Sequence, residues 1–217
     1  MTAGLQPAFL VIKLPVANLA LLDGWTDAIA AAHGTILAAA LPDTVEVLES
    51  GSRHTALIIA RFAWSPDLDS FWADAAALVS LLPDGSQVLA ANGLPFEGWP
   101  GHMVPTIATV DLPAADGPPA YMLIEGTTLD QERMDAYRDI ILPMIRDRGG
   151  YYPLFELGGS VRVLHGFWRE DIFAVSRWPS SALAHDFWFS DRYQNIAIPT
   201  RTGAGRFDVQ LTAGLAG

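Results

Sequence analysis

Short apolar runs bounded by Pro or Gly alternate along this chain with stretches in which apolar residues recur every three or four positions. Runs of that length suit buried strands, and the three-to-four spacing suits helices with one apolar face. The pattern predicts strands at residues 9–14 and 121–125, each followed by a helix. In the later helix Met134, Tyr137, Ile141, Met144 and Ile145 share a face, Thr128 with Gln131 reads as a capping box, and Gly149-Gly150 reads as the stop. Pro143 is expected to kink or break that helix, because proline removes a backbone donor and crowds the preceding turn. The earlier helix repeats the face with Leu22, Trp25 and Ile29, and the stop with Gly34. Residues 35–41 with 45–48, and 151–157 with 161–164, read as long bent or hairpin-like strands interrupted at Pro42-Asp43 and Gly158-Gly159. Strands at 56–62 and 172–178 lead into second helices that begin at Ser65-Pro66 and Ser180-Ser181. Closing strands are predicted at 104–112 and 206–212, and the Gly- and Pro-rich stretch 83–103, with Phe96, Trp99 and His102, reads as a long loop.

The order βαββαβ occurs twice, and the residues repeat with it. Ala8-Phe9-Leu10-Val11-Ile12 matches Ala120-Tyr121-Met122-Leu123-Ile124 at a shift of 112, as Leu22-Asp23-Gly24-Trp25 matches Met134-Asp135-Ala136-Tyr137. His33-Gly34 matches Arg148-Gly149 at 115, and Val45-Glu46-Val47-Leu48 matches Val161-Arg162-Val163-Leu164 at 116. Arg61-Phe62 against Arg177-Trp178 and Phe71-Trp72 against Phe187-Trp188 keep the shift of 116. A slow drift of this kind is what loop insertions produce. Each unit has the order of a split-βαβ, ferredoxin-like sheet with both helices on one face. The bare face of each sheet needs a cover, and the sheet of the other half supplies one. The expected fold is therefore α+β: a first half at 1–112, a stiff linker at 113–119 and a second half at 120–217, packed sheet to sheet as an intramolecular pseudo-dimer. Further homodimerisation stays open.

Half of the 217 residues are hydrophobic, enough for a sizeable core, and no apolar run approaches the length of a membrane span. The N-terminus has no basic cluster ahead of an apolar stretch, so a cytoplasmic protein without a membrane partner is expected. With no Cys in the chain, disulfides, thiolate nucleophiles and Cys-bound metals are excluded. The net charge of −11 argues against nucleic acid, whose phosphates demand Lys and Arg. The charge is uneven: residues 1–115 hold three basic against eleven acidic side chains, residues 116–217 ten against thirteen. An anionic group, which guanidinium forks bind well, would more readily meet the second half. No phosphate loop, nucleophile elbow or dinucleotide fingerprint occurs.

Several residues of the second half recur as a known pattern. They are Ala120-Tyr121 with Ile124, Tyr137, Arg148-Gly149-Gly150-Tyr151, Val161-Arg162-Val163-Leu164-His165-Gly166, and the run Phe187-Trp188-Phe189-Ser190-Asp191-Arg192-Tyr193-Gln194. In these the half resembles the family of domain of unknown function 1330, in the dimeric α/β-barrel superfamily, and the last run is similar to the family's aromatic-Ser-acid-x-Tyr-Gln element. The resemblance implies a sheet-to-sheet pair, normally of two chains and here within one: a single-chain dimeric α/β-barrel. The first half lacks that element after Trp72, where residues 73–82 run on as plain apolar helix. If the element lines a pocket, the first half has lost it. The superfamily includes cofactor-independent monooxygenases, isomerases and haem enzymes, and a fold alone transfers none of these activities.

The candidate site residues follow from charge and aromaticity in the better-preserved half. Strand alternation puts Glu125 and Arg177 on one face of neighbouring strands, where they are expected to pair, with Lys13 as another partner for Glu125. His185 and Glu125 are the catalytic candidates; His165 is the other histidine of that half. Tyr137, Arg177, Trp188, Arg192, Tyr193 and Arg201 are the ligand-binding candidates, an aromatic and basic lining for an apolar molecule with one anionic group. No His stands four residues from another, so no metal site is expected, and no cofactor either. The leading function is a small-molecule binder or cofactor-independent enzyme with its pocket in the second half, and whether it is an enzyme stays open. The alternatives are a non-catalytic structural or assembly module and a haem-binding α/β-barrel enzyme.

Overall fold

The computed structural model describes residues 7–15, 18–49, 55–94, 117–157 and 159–215. The predicted strand at 104–112, most of the linker and the Phe96, Trp99 and His102 side chains lie outside the described residues. Strand β1 (Ala8–Leu14), apolar at all but Lys13, is the centre of the first sheet. It pairs antiparallel with β4 (Ala56–Phe62) on one side and β5 (Gln87–Asn92) on the other, and β2 (Thr35–Ala40) lies outside β4. Strand β6 (Ala120–Thr128) is the centre of the second sheet, between β9 (Ile172–Trp178) and β10 (Gly205–Ala213), with β7 (Tyr151–Leu157) outside β9. Each half is a ferredoxin-like sheet, and the two pack face to face as a single-chain α/β-barrel.

The fourth strand of the first half thus lies at Gln87–Asn92, inside the stretch read from sequence as a loop. Its apolar run, Val88 to Ala91, is only four residues long and sits between Pro- and Gly-containing segments that obscure it. A second correction concerns the regions read as long bent strands. After Pro42 the chain does not continue along its own sheet: β3 (Glu46–Glu49) crosses over and pairs with β10. In the second half β8 (Arg162–His165) crosses the other way and pairs with β5. Both β5 and β10 would otherwise expose an open edge, and the exchanged strands cover it.

The helices lie on the outer faces. Helix α1 (Leu19–Ala31) is capped by Asn18 and buries Leu22, Trp25 and Ile29; α2 (Ser65–Asp74) and α3 (Ala76–Val79) complete the first half. Helix α4 (Gln131–Arg146) is capped by Asp130, whose side chain accepts the Arg133 N–H; Thr128 is the last residue of β6 and does not cap. The helix runs unbroken through Pro143. Proline is tolerated because the carbonyl it leaves without a donor belongs to Asp139, on the solvent side. Helix α5 (Ser181–Trp188) starts at the Ser180 cap, and a π-helical turn (Tyr193–Ala197) leads into α6 (Ile198–Arg201).

The helix ends correct two of the residue matches. Gly149 at φ 70° stops α4, with Gly150 N–H donating to Ile145 C=O at 2.9 Å. His33 takes the same left-handed conformation at φ 60°, and Gly34 N–H donates to Ile29 C=O at 2.8 Å. The counterpart of His33 is therefore Gly149, and that of Trp25 is Ile141 rather than Tyr137. Strand registers keep the shifts read in the sequence, with Phe9 opposite Arg61 and Tyr121 opposite Arg177.

Three apolar layers result: one between helices and sheet in each half, and one between the sheets, where Phe9, Val11, Ile59 and Leu89 meet Tyr121, Leu154, Phe173 and Val175. At the edge of this middle layer Lys13 Nζ donates to both Glu125 oxygens, at 2.8 and 2.6 Å, and Trp168 Nε1 donates to Glu125 Oε1 at 2.8 Å.

Candidate functional site

Between the helices and sheet of the second half lies a cavity of about 460 Å³. Its floor follows from strand alternation: Met122 and Ile124 of β6, Ala174 and Ser176 of β9, and Phe207 and Val209 of β10 point to the helix side. Tyr137, Ile141 and Leu142 of α4 form one wall, Phe187, Trp188 and Tyr193 another. The exposed residues Gln131, Leu157 and Ser160 mark the open side.

The buried end is polar. Tyr137 and Tyr193 hydroxyls are 2.9 Å apart, and Arg201 lies beside them at 5% exposure, with its guanidinium 5.3 Å from the Tyr137 ring centre and 4.7 Å from that of Phe207. Arg201 Nη1 donates to Glu49 Oε1 at 2.8 Å and Nη2 to Glu49 Oε2, a bidentate fork. Glu49 comes from the first half, on the exchanged strand β3. Glu46 and Glu49, three residues apart, would ordinarily face opposite ways. An irregularity in the pairing of β3 with β10 sets Glu46 opposite Leu211 and Glu49 opposite Val209, so both glutamates reach the helix side of the second sheet.

The Ser-acid-x-Tyr-Gln run delivers Tyr193. Ser190 Oγ donates to Phe187 C=O at 2.8 Å and accepts the Tyr193 N–H at 3.3 Å, so it closes α5 and opens the next turn. Gln194 Nε2 donates to Trp188 C=O at 2.6 Å, fixing the reversal. The π-helical turn that follows is a geometry found often at functional sites. Arg133 of α4 donates to Thr200 C=O at 3.0 Å and Thr202 C=O at 2.8 Å, fixing the backbone on both sides of Arg201. Gly126 leaves room for the Phe207 ring, since a Cβ there would stand 2.7 Å from it and 2.5 Å from the Arg206 carbonyl.

Burial dominates the ionisation of this site. It pushes the Tyr137 phenol up, with Arg201 opposing, and pushes Tyr193 up further. Tyr152, buried on the wall, is raised by burial and by Tyr137. Burial also works against the Arg201 cation, but its hydrogen bonds to Glu49 and the Glu49 charge outweigh that and hold the group charged. Glu156, half-buried in the lining, is raised by burial against an opposing hydrogen bond from Ser160. The site thus offers neutral phenols, a compensated guanidinium, and one half-buried carboxyl raised above its usual range.

Of the residues singled out in the sequence, Tyr137, Trp188, Tyr193 and Arg201 meet in this cavity. Arg192 is exposed and outside the lining, because the turn that brings Tyr193 in points its neighbour out. His185 lies on the outer side of α5, 2.6 Å from Glu46 Oε2. Glu125 and Arg177 face the middle layer, away from the cavity. The expected Glu125–Arg177 pair does not form: Glu125 stands opposite Phe173 and Arg177 opposite Tyr121, at different ends of the strands, and Lys13 takes Glu125. Arg177 instead lies 5.8 Å from the Tyr151 ring centre. His165, on β8, pairs in register with Val88 of the first sheet. Sequence reasoning missed Glu156, whose signal was one acid in the apolar run Tyr151–Leu157, and Glu49, which nothing in the sequence places near Arg201. Among the described residues no group of three His, Asp or Glu side chains is arranged to hold a metal ion.

The cavity, its delivering turn and Tyr193 all fall within one matched segment. Residues 119–215 match the family model described as Domain of unknown function (DUF1330). The DUF1330 segment covers β6 to β10 and so supplies the whole cavity lining, while Glu49 comes from outside it. No curated protein matches the chain in sequence. Among solved structures, chlorite dismutase from Candidatus Nitrospira defluvii in complex with imidazole is similar at a TM-score of 0.53 and 12% identity, covering 100% of this chain and 93% of that one. A "Putative monooxygenase" from Fusobacterium nucleatum is similar at 0.51 and 11%, covering 98% and 94%. A heme-binding protein from Thermus thermophilus has a TM-score of 0.47 at 11% identity, covering 100% and 94%. At these identities the likeness is one of fold. No helix among the described residues is long and apolar enough to cross a membrane.

Proposed function

We propose that the second half binds a small, largely apolar organic molecule in the cavity against α4, and that the first half is a filled copy of the same unit that completes the barrel. The observation that carries the reading is a cavity of about 460 Å³, within the ordinary size of small-molecule sites, that keeps a hydroxyl pair and a paired guanidinium at its buried end. Equivalent strand registers and helix stops support a tandem duplication with halves at 1–112 and 120–217 joined by 113–119. A cytoplasmic pseudo-dimer is part of this reading. A second reading, a cofactor-independent enzyme, is favoured by the position of Glu156 in the cavity lining, where a half-buried carboxyl raised by burial stands beside any bound molecule.

A haem does not fit the residues present. Among the described residues no His lines the cavity, the chain has no Cys, the two phenol oxygens are bonded to each other, and Arg201, which could meet a propionate, is engaged by Glu49.

The test uses N-phenyl-1-naphthylamine, a neutral apolar fluorophore. The wild type should bind it saturably at one site, and Ile141→Trp, which copies the first half's filling, should weaken binding at least tenfold without unfolding the protein. Equal binding by the folded variant sinks the cavity reading. Glu156→Gln should leave that affinity within about twofold, since the carboxyl is not needed for an apolar probe.

A further inference from the structure

We infer that the natural occupant of this cavity is neutral and presents a hydrogen-bond-accepting oxygen of the ketone type to the Tyr137–Tyr193 pair. The inference rests on the binding reading above and adds the chemical class of the ligand.

Two phenols carry two hydrogens, and the 2.9 Å bond between them uses one. The other hydrogen needs an acceptor, and among the described residues neither hydroxyl donates to any group but the other phenol. Arg201 carries donors only, and the Glu49 carboxylate, held in a fork by that guanidinium, makes no hydrogen bond with either phenol. Among the described residues two buried acceptors lack a partner, Thr55 Oγ1 and Gln210 Oε1, but Thr55 precedes β4 in the first half, and Gln210 alternates with the cavity-side Val209 and so faces the middle layer. Arg201 Nε is itself a buried donor without a partner, so the closed end has donors in excess. An unmet buried donor is costly, and a ligand oxygen relieves that cost where a hydrocarbon does not.

Charge decides which kind of oxygen. Glu49 already balances Arg201, so the closed end is neutral as it stands. A carboxylate would bring an uncompensated negative charge out of water, whereas a carbonyl accepts hydrogen bonds without that penalty. The charge preference of the second half's cavity is therefore set by a residue of the first half.

Calorimetry with three probes of one shape separates these claims: 2-acetylnaphthalene, 2-ethylnaphthalene and 2-naphthoate, titrated into wild type, Tyr137→Phe/Tyr193→Phe and Glu49→Gln. Loss of both hydroxyls should weaken the ketone at least fivefold and leave the hydrocarbon within twofold. On wild type 2-naphthoate should bind more weakly than the ketone, and Glu49→Gln, which frees the Arg201 charge, should raise the naphthoate-to-ketone affinity ratio at least tenfold. A ketone indifferent to the hydroxyls, or 2-naphthoate as the tightest probe on wild type, overturns the inference while leaving the cavity reading intact. Failure of all three probes to bind the wild type overturns the cavity reading, and this one with it. Should Glu49→Gln not fold, the hydroxyl arm decides alone, because it removes one atom from each tyrosine.

Discussion

In the first half α1 and α2 close on their sheet through Trp25, which has no exposed surface, stacks on Trp72 at 6.5 Å and meets Phe71 edge-on at 6.3 Å. In the second half Trp188 stands where Trp72 does, but Ile141 stands where Trp25 does, and the space is a cavity shared with Tyr137 and Tyr193. Two units with the same strand registers and helix stops thus differ by what one helical position puts between helix and sheet. The surface carries a matching contrast. Arg162 on β8 pairs with Asp69 on α2 at 2.5 Å, and Glu46 on β3 meets His185 on α5 at 2.6 Å. Asp69 and His185 are counterparts at a shift of 116, as are Glu46 and Arg162, so the two cross-half contacts occupy the same place with their charges exchanged. Filling and charge sign can both change while the frame is kept, because the frame depends on backbone pairing and on the apolar middle layer.

The contrast between the halves breaks most readily at the buried tryptophan. Trp25→Ala should lower stability by about 3–5 kcal/mol, the ordinary cost of deleting a fully buried Trp, read as a shift in urea midpoint. Ile141→Ala should cost about 1–2 kcal/mol, less than usual because its side chain already borders a void. Equal losses would remove the distinction between filled and hollow halves. Next comes the pair that joins the halves. Glu49→Ala leaves the Arg201 guanidinium buried and alone, and about 2 kcal/mol of destabilisation is expected, below the figure for a fully buried pair because Glu49 is 34% exposed. Arg201→Met in the same background should recover part of that loss in a double-mutant cycle.

Alkaline titration gives a third effect. The folded phenols are raised above the usual value, so the neutral forms contribute stability that is complete below about pH 10 and is lost as pH rises through their raised values. Absorbance at 295 nm should show Tyr137, Tyr152 and Tyr193 ionising only as the protein unfolds; reversible ionisation of all five tyrosines near pH 10 in the folded state contradicts the burial described. A smaller change is expected of Ile141→Trp, within about 1 kcal/mol of wild type, because a side chain enters space that is already open. The smallest belongs to the exposed cross-half pairs: Arg162→Gln and Glu46→Gln should each cost about 0.5 kcal/mol or less. A larger loss from either would make these contacts part of the frame.

Much of this architecture is legible in the chain, for definite reasons. The runs Ala56–Phe62, Tyr151–Leu157 and Ile172–Trp178 are bounded by turn formers and packed with β-branched and aromatic residues, and they form strands over those spans. Gln87–Asn92 escapes recognition because a four-residue Val-Leu-Ala-Ala run carries little strand signal among glycines and prolines. Of the site, Tyr137, Trp188, Tyr193 and Arg201 can be named because aromatic and basic residues stand out on a helix face and in the Ser-acid-x-Tyr-Gln run. Arg192 and His185 look as good, since spacing does not say which side of a turn meets the cavity. For Glu125 the pattern yields the right face and two candidate partners, of which Lys13 pairs with it and Arg177 does not, because alternation fixes the face of a strand but not the offset along it.

The sequence by itself determined the second βαββαβ unit and the first up to its closing strand, with their apolar faces and the difference between the halves after Trp72 and Trp188, because these follow from local periodicity and from residues close along the chain. Only the tertiary structure decided that β3 and β8 change sheets and that Lys13 rather than Arg177 meets Glu125. It alone brought Glu49 across 152 positions to Arg201. These are contacts between segments far apart in the chain, chosen by which open edge and which buried charge needed a partner, and no local pattern of residues encodes that choice.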